Sequence, residues 1–314
     1  MRTTEIETSA VLVNRRNLLP PAAPSMRSLA TMLFLAVMWG LSIPVTKLGL
    51  QTLPPLTLTA LRFAIAVPFF LLFAMGRRRI PWRALPTVAA LGMLGIGVGQ
   101  VAQSYGIANT SASVATMISA TIPVFVVLFA ATRLKQPVSG RQKRGLVAAF
   151  LGITLVALGG GNGMADIFRS SAVGAAWVLL SAVTIAFYYV WSVELTSTYG
   201  TATVAAWSTL FGFLALIPFA GWEMARIPFH MTLEAIGVAA YLGLAVTIVG
   251  LFLWLHLLRT VPAPIAASVQ FLQPVVGVAV SAAMFGETMG LLFIAGVILV
   301  LVGLALSATS RKSV

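Results

Sequence analysis

The chain has 314 residues, 59% of them hydrophobic and 9% charged, with a mean hydropathy of +1.00. Soluble domains carry about a quarter charged residues, so most of this surface must face hydrocarbon, which makes the chain an integral membrane protein and sets aside a soluble enzyme. The absence of cysteine and the presence of only 2 histidines leave no disulfide framework, no thiolate nucleophile and no multi-histidine metal centre. No catalytic residue, metal or cofactor is expected.

A helix crossing a core about 30 Å thick takes about 20 apolar residues. On that measure the chain divides into ten spans: Leu29–Leu50, Leu56–Met75, Ala84–Ala108, Ser111–Thr132 and Gly145–Gly160, then Ala172–Leu195, Ala202–Trp222, Leu233–Leu258, Pro264–Phe285 and Gly290–Ala308. A glycine-rich break at Gly159–Gly163 separates the two sets of five. The expected divisions are a cytoplasmic disordered tail over 1–28, a first five-span unit over 29–160, an outer linker over 161–171, a second five-span unit over 172–308 and a cytoplasmic tail over 309–314. The first 25 residues hold Pro20, Pro21 and Pro24 with several basic side chains, too polar to span. Met26 stands as a second candidate for the start.

The Lys/Arg bias of short loops sets the orientation. With the N-terminus inside, 16 of the 20 basic residues fall on the cytoplasmic side, in the tails, in the segments around Arg77–Arg83 and Arg133–Arg144 and at Arg259. Arg169 and Arg226 fall outside, and Lys47 and Arg62 lie within spans one and two. The net charge of +13 is thereby a topology signal, and no nucleic-acid partner is expected. The reading is a multi-pass protein of the cell (inner) membrane with both termini cytoplasmic and with the lipid bilayer and a small-molecule substrate as partners.

Shifting the chain by 151 residues lays Ala112 on Ala263, Ala115 on Ala266, Pro123-Val124 on Pro274-Val275, Gly145 on Gly296 and Gly152 on Gly303. An odd number of spans per unit makes the two halves enter from opposite faces, giving an all-α fold of ten transmembrane helices as two inverted five-helix repeats. Two halves that each carry an Ala-rich span, a mid-span Pro-Val and a glycine-spaced final span resemble the EamA-type ten-helix transporters of the drug/metabolite transporter superfamily. The stretches that carry the resemblance are "SATIPVFVVLFAATRLKQPVSGRQKRG" and "SVQFLQPVVGVAVSAAMFGETMGLLFIAG". Gly286-Glu287 matches the family's "GE", whereas the first half has Lys135-Gln136 there, a departure that points to a structural rather than catalytic Glu287.

Mid-membrane polar groups mark the candidate site. Proline removes a donor and leaves the carbonyl four residues earlier without its helical partner, so Pro44, Pro123 and Pro274 are the expected helix breaks and free the carbonyls of Gly40, Ser119 and Gln270. Gln100 with Gln103, and Gln270 with Gln273, are same-face amide pairs at a spacing of three; each can line a cavity or join helices. Trp39, Tyr188 and Trp254, with Tyr105 and His256, offer aromatic walls or simple packing. Lys47, near a span end, is expected to snorkel. Arg62 is deeper and fits a carboxylate ligand, a structural partner or snorkelling. Glu223 and the other acids are placed in or beside loops or at span ends, so no midplane carboxylate is expected.

These features point to a secondary transporter, by resemblance an exporter of small organic metabolites such as amino acids, working by alternating access. A nucleotide-sugar or sugar-phosphate exchanger would call for several central Lys or Arg, and a non-transporting membrane scaffold would need no polar-lined centre. A membrane-embedded enzyme lacks a supporting motif: there is no GxSxG, no HExxH and no close acidic pair.

Overall fold

The computed structural model describes residues 25–75, 80–133, 140–159, 172–260, 269–287 and 289–308. The N-terminal tail, the linker over 161–171, the start of the ninth span at 264–268 and the tail from 309 lie outside the described residues. Helix α1 begins at Met26, where the Ser25 hydroxyl accepts the Ser28 N–H at 3.2 Å. It runs to Gly40, is interrupted at Leu41 and resumes over Ser42–Gly49. The interruption falls just before Pro44, and the Ser42 hydroxyl donates to the Trp39 carbonyl at 2.7 Å, a local substitute for helical bonding near the kink.

Helix α2, Pro55–Ala74, starts on a proline whose missing N–H costs nothing at that position. Helix α3, Leu85–Ala108, is α-helical to Leu91, π-helical over Gly92–Val98 and α-helical again from Gly99. Helix α4, Ala112–Arg133, is interrupted at Ala120 and Thr121, just before Pro123. Next come α5, Gly140–Gly159, α6, Ala172–Trp191, and α7, Val193–Tyr199. Gly200, at φ 87°, supplies the left-handed turn into α8, Thr201–Arg226. Helix α9 joins Leu233–Ala240, a second π stretch at Tyr241–Val249 and Gly250–Thr260. Helices α10, Val269–Phe285, and α11, Leu291–Ala308, end the described chain, with Pro274 inside α10.

No strand occurs among the described residues, and seven helices are long and apolar enough to cross a membrane. They are α1, α2, α3, α4, α6, α8 and the Leu233–Trp254 part of α9. The protein is a multi-pass membrane protein. Its polarity is sorted accordingly: Phe34, Phe69, Leu72, Leu214 and Phe219 are exposed, whereas Thr46, Thr59, Ser104, Thr116 and Ser281 are buried. Each of those buried hydroxyls bonds a nearby carbonyl or another hydroxyl, as a low-dielectric interior requires.

Close packing is made by glycine. Gly92 of α3 lies against the Ser208 backbone of α8, and Gly212 of α8 against the Gly92 carbonyl. Gly152 of α5 faces Gly296 and Val300 of α11, while Gly303 faces Ala149 and Gly145. Rising numbers in one helix meet falling numbers in the other, so α5 and α11 run antiparallel. The 151-residue offset that pairs these glycines also carries Leu41, the break in α1, onto Ser192, between α6 and α7. It further carries Gly92–Val98 onto 243–249, inside the second π stretch.

At one end of the bundle three charged side chains hold helix termini. Lys47 Nζ donates to the Ile107, Ala108 and Thr110 carbonyls at 2.8, 3.2 and 2.8 Å, which close the C-terminus of α3, where cations are favoured. Glu287 accepts the Ala112 and Ser113 N–H groups at 2.8 and 3.0 Å at the start of α4. Glu223 accepts the Thr57 N–H and hydroxyl at 2.8 and 2.9 Å in the first turn of α2. The expected snorkelling of Lys47 is therefore replaced by capping. Glu223, expected beside a loop, is instead inside α8 and only 1% exposed; apolar α8 runs past Trp222 to Arg226, and the carboxylate is held by the α2 N-terminus it serves.

Candidate functional site

The most concentrated polar arrangement away from the helix ends is built around Arg62. One turn before the middle of α2, its guanidinium points into the bundle: Nε donates to Thr247 Oγ1 of α9 at 3.0 Å and Nη1 to Gln100 Oε1 of α3 at 2.9 Å. Of the three readings open for this residue in the sequence, snorkelling to the surface does not match this geometry. Both partners are neutral acceptors. The only salt bridge among the described residues is Arg133–Glu194 at 3.0 Å, on an exposed surface.

The two partners stand where the helical repeat changes. Thr247 lies within the π stretch of α9 and its hydroxyl donates to the Leu242 carbonyl, five residues back, at 2.7 Å. That donation fixes the hydroxyl's lone pairs towards Arg62. Gln100 follows the π stretch of α3 by two residues. π-helical turns loosen the backbone hydrogen-bond ladder and expose carbonyls; next to Thr247, the Val246 carbonyl accepts the Trp39 indole N–H at 3.1 Å. Trp39 in turn lies 5.8 Å from Trp254, centroid to centroid. The Tyr241 hydroxyl donates to the Met38 carbonyl at 2.6 Å, tying α9 to α1 on the turn before. A Cβ at Gly250 would collide with the Trp39 indole, so glycine is what admits the ring.

The structure thus brings together Trp39, Arg62, Gln100 and Trp254 from the sequence-derived set, on four helical segments. Tyr188 is buried against Gly95 of α3, whose missing side chain makes the room. Its neighbour Tyr189 is 53% exposed and lies within electrostatic range of Arg62. Gln103 is half-buried, one turn beyond Gln100. Gln273 sits on α10 where that helix crosses α1, its carbonyl against Gly40. Ser119, at the break in α4, keeps a buried hydroxyl without a hydrogen-bond partner among the described residues. It belongs to a neighbouring part of the bundle, where Thr116 packs on Gly277 of α10. The side chains of Gln270 and His256 lie outside the described residues.

Thr247, Tyr189 and Tyr241 were not singled out by the sequence. Thr247 is an isolated hydroxyl in an apolar run, the pattern of an ordinary back-bonded threonine. Its signal is that α3 and α9 fall into register at the 151-residue offset, which sets it close to the counterpart of the glycine row before Gln100.

Comparison with known proteins agrees with this architecture. Residues 26–158 and 172–309 each match the EamA-like transporter family. An uncharacterized transporter of Archaeoglobus fulgidus is 29% identical over 273 residues, covering 87% of this chain and 95% of that protein. The uncharacterized inner membrane transporter YedA of Escherichia coli is 27% identical over 268 residues, covering 81% and 82%. A probable terminal-alkyne amino-acid exporter of Streptantibioticus cattleyicolor is 28% identical over 282 residues, covering 84% and 90%. A solved crystal structure superposes with a TM-score of 0.61 over 91% of this chain and 97% of the other at 18% identity, a likeness of fold. The chain belongs to the EamA-like transporter family, whose members are transporters and not enzymes.

Proposed function

From that membership, we propose that the protein is a secondary transporter of the inner membrane that exports small organic metabolites such as amino acids. It has ten spans in two inverted five-helix repeats, 29–160 and 172–308, both termini cytoplasmic, and a central site opened alternately to each side. The two family matches, the antiparallel packing of α5 on α11 through glycines related by the 151-residue offset and the π stretches at matching positions support the inverted duplication. The similarity to a probable amino-acid exporter supports the substrate class.

The observation that carries the proposal is the meeting of Arg62, Gln100 and Thr247 from α2, α3 and α9 beside the Trp39–Trp254 pair. In a bilayer, polar and charged groups inside the bundle are costly unless they serve binding or pathway roles, and a transporter site at a repeat interface is such a role. Gln103, Tyr188, Gln270 and Gln273 complete the proposed lining, and Ser119, at the break in α4, belongs to a neighbouring stretch of the proposed pathway. A phosphate-bearing nucleotide sugar would leave its second negative charge without a cation here.

Proteoliposomes containing the full chain, loaded with labelled amino acids or drugs and assayed with and without a pH gradient, test the proposal. Flux that depends on the protein is expected. Gln100→Ala and Gln103→Ala should weaken substrate affinity roughly five- to 150-fold, the effect of losing a buried hydrogen bond worth about 1 to 3 kcal/mol. Normal transport by both variants would reduce the amides to helix joints, and no flux of any solute would remove the transporter reading.

A further inference from the structure

Arginine has five N–H donors in a rigid fork and stays charged at any physiological pH. At Arg62 two of the five are used, one on Nε and one on Nη1. Among the described residues the other three, both on Nη2 and one on Nη1, meet no hydrogen-bond acceptor, and the guanidinium carbon stands 5.7 Å from the centroid of the Phe63 ring. The acceptors that hold the guanidinium, a threonine hydroxyl and a glutamine amide, orient it and leave its charge uncompensated. Its placement is not accidental crowding, because Thr247 is itself locked by the Leu242 carbonyl and α9 is tied to α1 through Trp39 and Tyr241.

The acids within the described bundle are committed elsewhere. Glu223 holds the first turn of α2, Glu287 the first turn of α4, Glu194 pairs with Arg133, and Glu234 is exposed in the first turn of α9. A membrane-embedded cation with a preset donor fork and no counter-ion among the described residues asks for an anion that arrives from outside. One positive charge balances one negative charge, which favours a carboxylate over a phosphate dianion. The neighbouring surface is aromatic: Trp39 has spent its N–H on the carbonyl of Val246, the residue before Thr247, with Trp254 5.8 Å from it, and the Phe63 ring lies 5.7 Å from the guanidinium.

We infer that Arg62 is the receptor for a single carboxylate group on a small solute whose apolar body lies against Trp39 and Trp254. This inference rests on the transporter reading for its biological sense, but it concerns binding and can fail or stand by itself. With no acidic side chain at the guanidinium, an α-ammonium group on the solute adds little to affinity. The site reads the carboxylate and the apolar body.

The test uses the full-length protein in lipid nanodiscs, with intrinsic tryptophan fluorescence as the readout. Two series are titrated: L-phenylalanine, 3-phenylpropionate and L-phenylalaninamide, and L-leucine, 4-methylpentanoate and L-leucinamide. In at least one series both acids should bind with affinities within about fivefold of each other, and the amide at least about tenfold more weakly. Phenyl phosphate should compete more weakly than the acids. Arg62→Gln should erase the preference for acid over amide, and Arg62→Lys should restore part of it, which guards against loss through misfolding alone. An amide that binds as well as its acid in both series, phosphate competing better than carboxylate, or a preference that survives in Arg62→Gln would overturn the inference. Protein-dependent flux in proteoliposomes without any carboxylate preference would leave the transporter reading standing and remove the role of Arg62. Carboxylate-selective binding with no flux of any solute would do the reverse.

Discussion

Replacing Glu223 by alanine should destabilise the protein more than any other single truncation of a charged side chain. Its carboxylate is 1% exposed, and one oxygen takes both the Thr57 N–H at 2.8 Å and the Thr57 hydroxyl at 2.9 Å, while the other accepts the Tyr105 hydroxyl at a longer 3.4 Å. Thr57 is the third residue of α2, so its N–H has no acceptor within its own helix. Truncation leaves two well-placed buried donors without partners, at about 1 to 3 kcal/mol each, and removes an anion from a helix N-terminus. The Thr57 hydroxyl can rotate to a backbone carbonyl, so a net cost of about 3 kcal/mol is expected, roughly 150-fold in the folding equilibrium. Glutamine keeps one acceptor oxygen and should cost about half as much. Reversible unfolding by SDS titration in mixed micelles, followed by far-UV circular dichroism, measures both variants. A Glu223→Ala curve that overlays the parent, or a Glu223→Gln variant as weak as alanine, would refute the capping account.

Three further outcomes are expected. Lys47→Met should lower stability by about 1 to 2 kcal/mol in the same titration, because three carbonyls at the end of α3 lose a charged donor but lie close enough to a loop to recruit water. Gly296→Leu should prevent accumulation of monodisperse protein on size-exclusion chromatography, since even its Cβ would lie 2.6 Å from the Val156 nitrogen and 2.7 Å from the Gly152 carbonyl, and backbone cannot yield as a side chain does. Gly250→Ala should leave the fold intact while shifting tryptophan emission and weakening transport, because the new methyl group displaces the Trp39 indole from the Val246 carbonyl.

The membrane class, the helical content and the family were legible because they rest on bulk properties: low charge, long apolar runs and a pattern of small residues that recurs at one offset. Gly152 and Gly296 were legible only as members of the repeat pairs Gly152–Gly303 and Gly145–Gly296, and the structure puts them face to face where α5 crosses α11. Interruptions fall three residues before Pro44 and two before Pro123, whereas Pro274 is accommodated within α10. Charged side chains at helix ends were harder. Lys47 and Glu223 find their partners 60 to 166 residues away, and composition cannot tell a side chain that reaches lipid headgroups from one that caps a distant helix. The same holds for Thr247, whose importance lies in what α2 brings to it.

The two π stretches change how the faces of α3 and α9 continue across the bundle. Side-chain positions three or four apart share a face only while each turn holds about 3.6 residues; a wider turn rotates everything beyond it relative to everything before. Gln100 lies just past one such stretch and Thr247 inside the other, so positions before and after these stretches do not share a face as an unbroken wheel would assign, while Gln100 and Gln103, both in α-helical Gly99–Ala108, keep theirs. Carbonyls of the second π stretch take side-chain donors, Leu242 the Thr247 hydroxyl and Val246 the Trp39 indole, much as the α-helical Met38 carbonyl takes the Tyr241 hydroxyl. A wider, less densely bonded backbone is unfavourable taken alone. In α9 the departure is met by side chains, and the guanidinium that Thr247 orients keeps three N–H groups without an acceptor among the described residues, open to the anion inferred above.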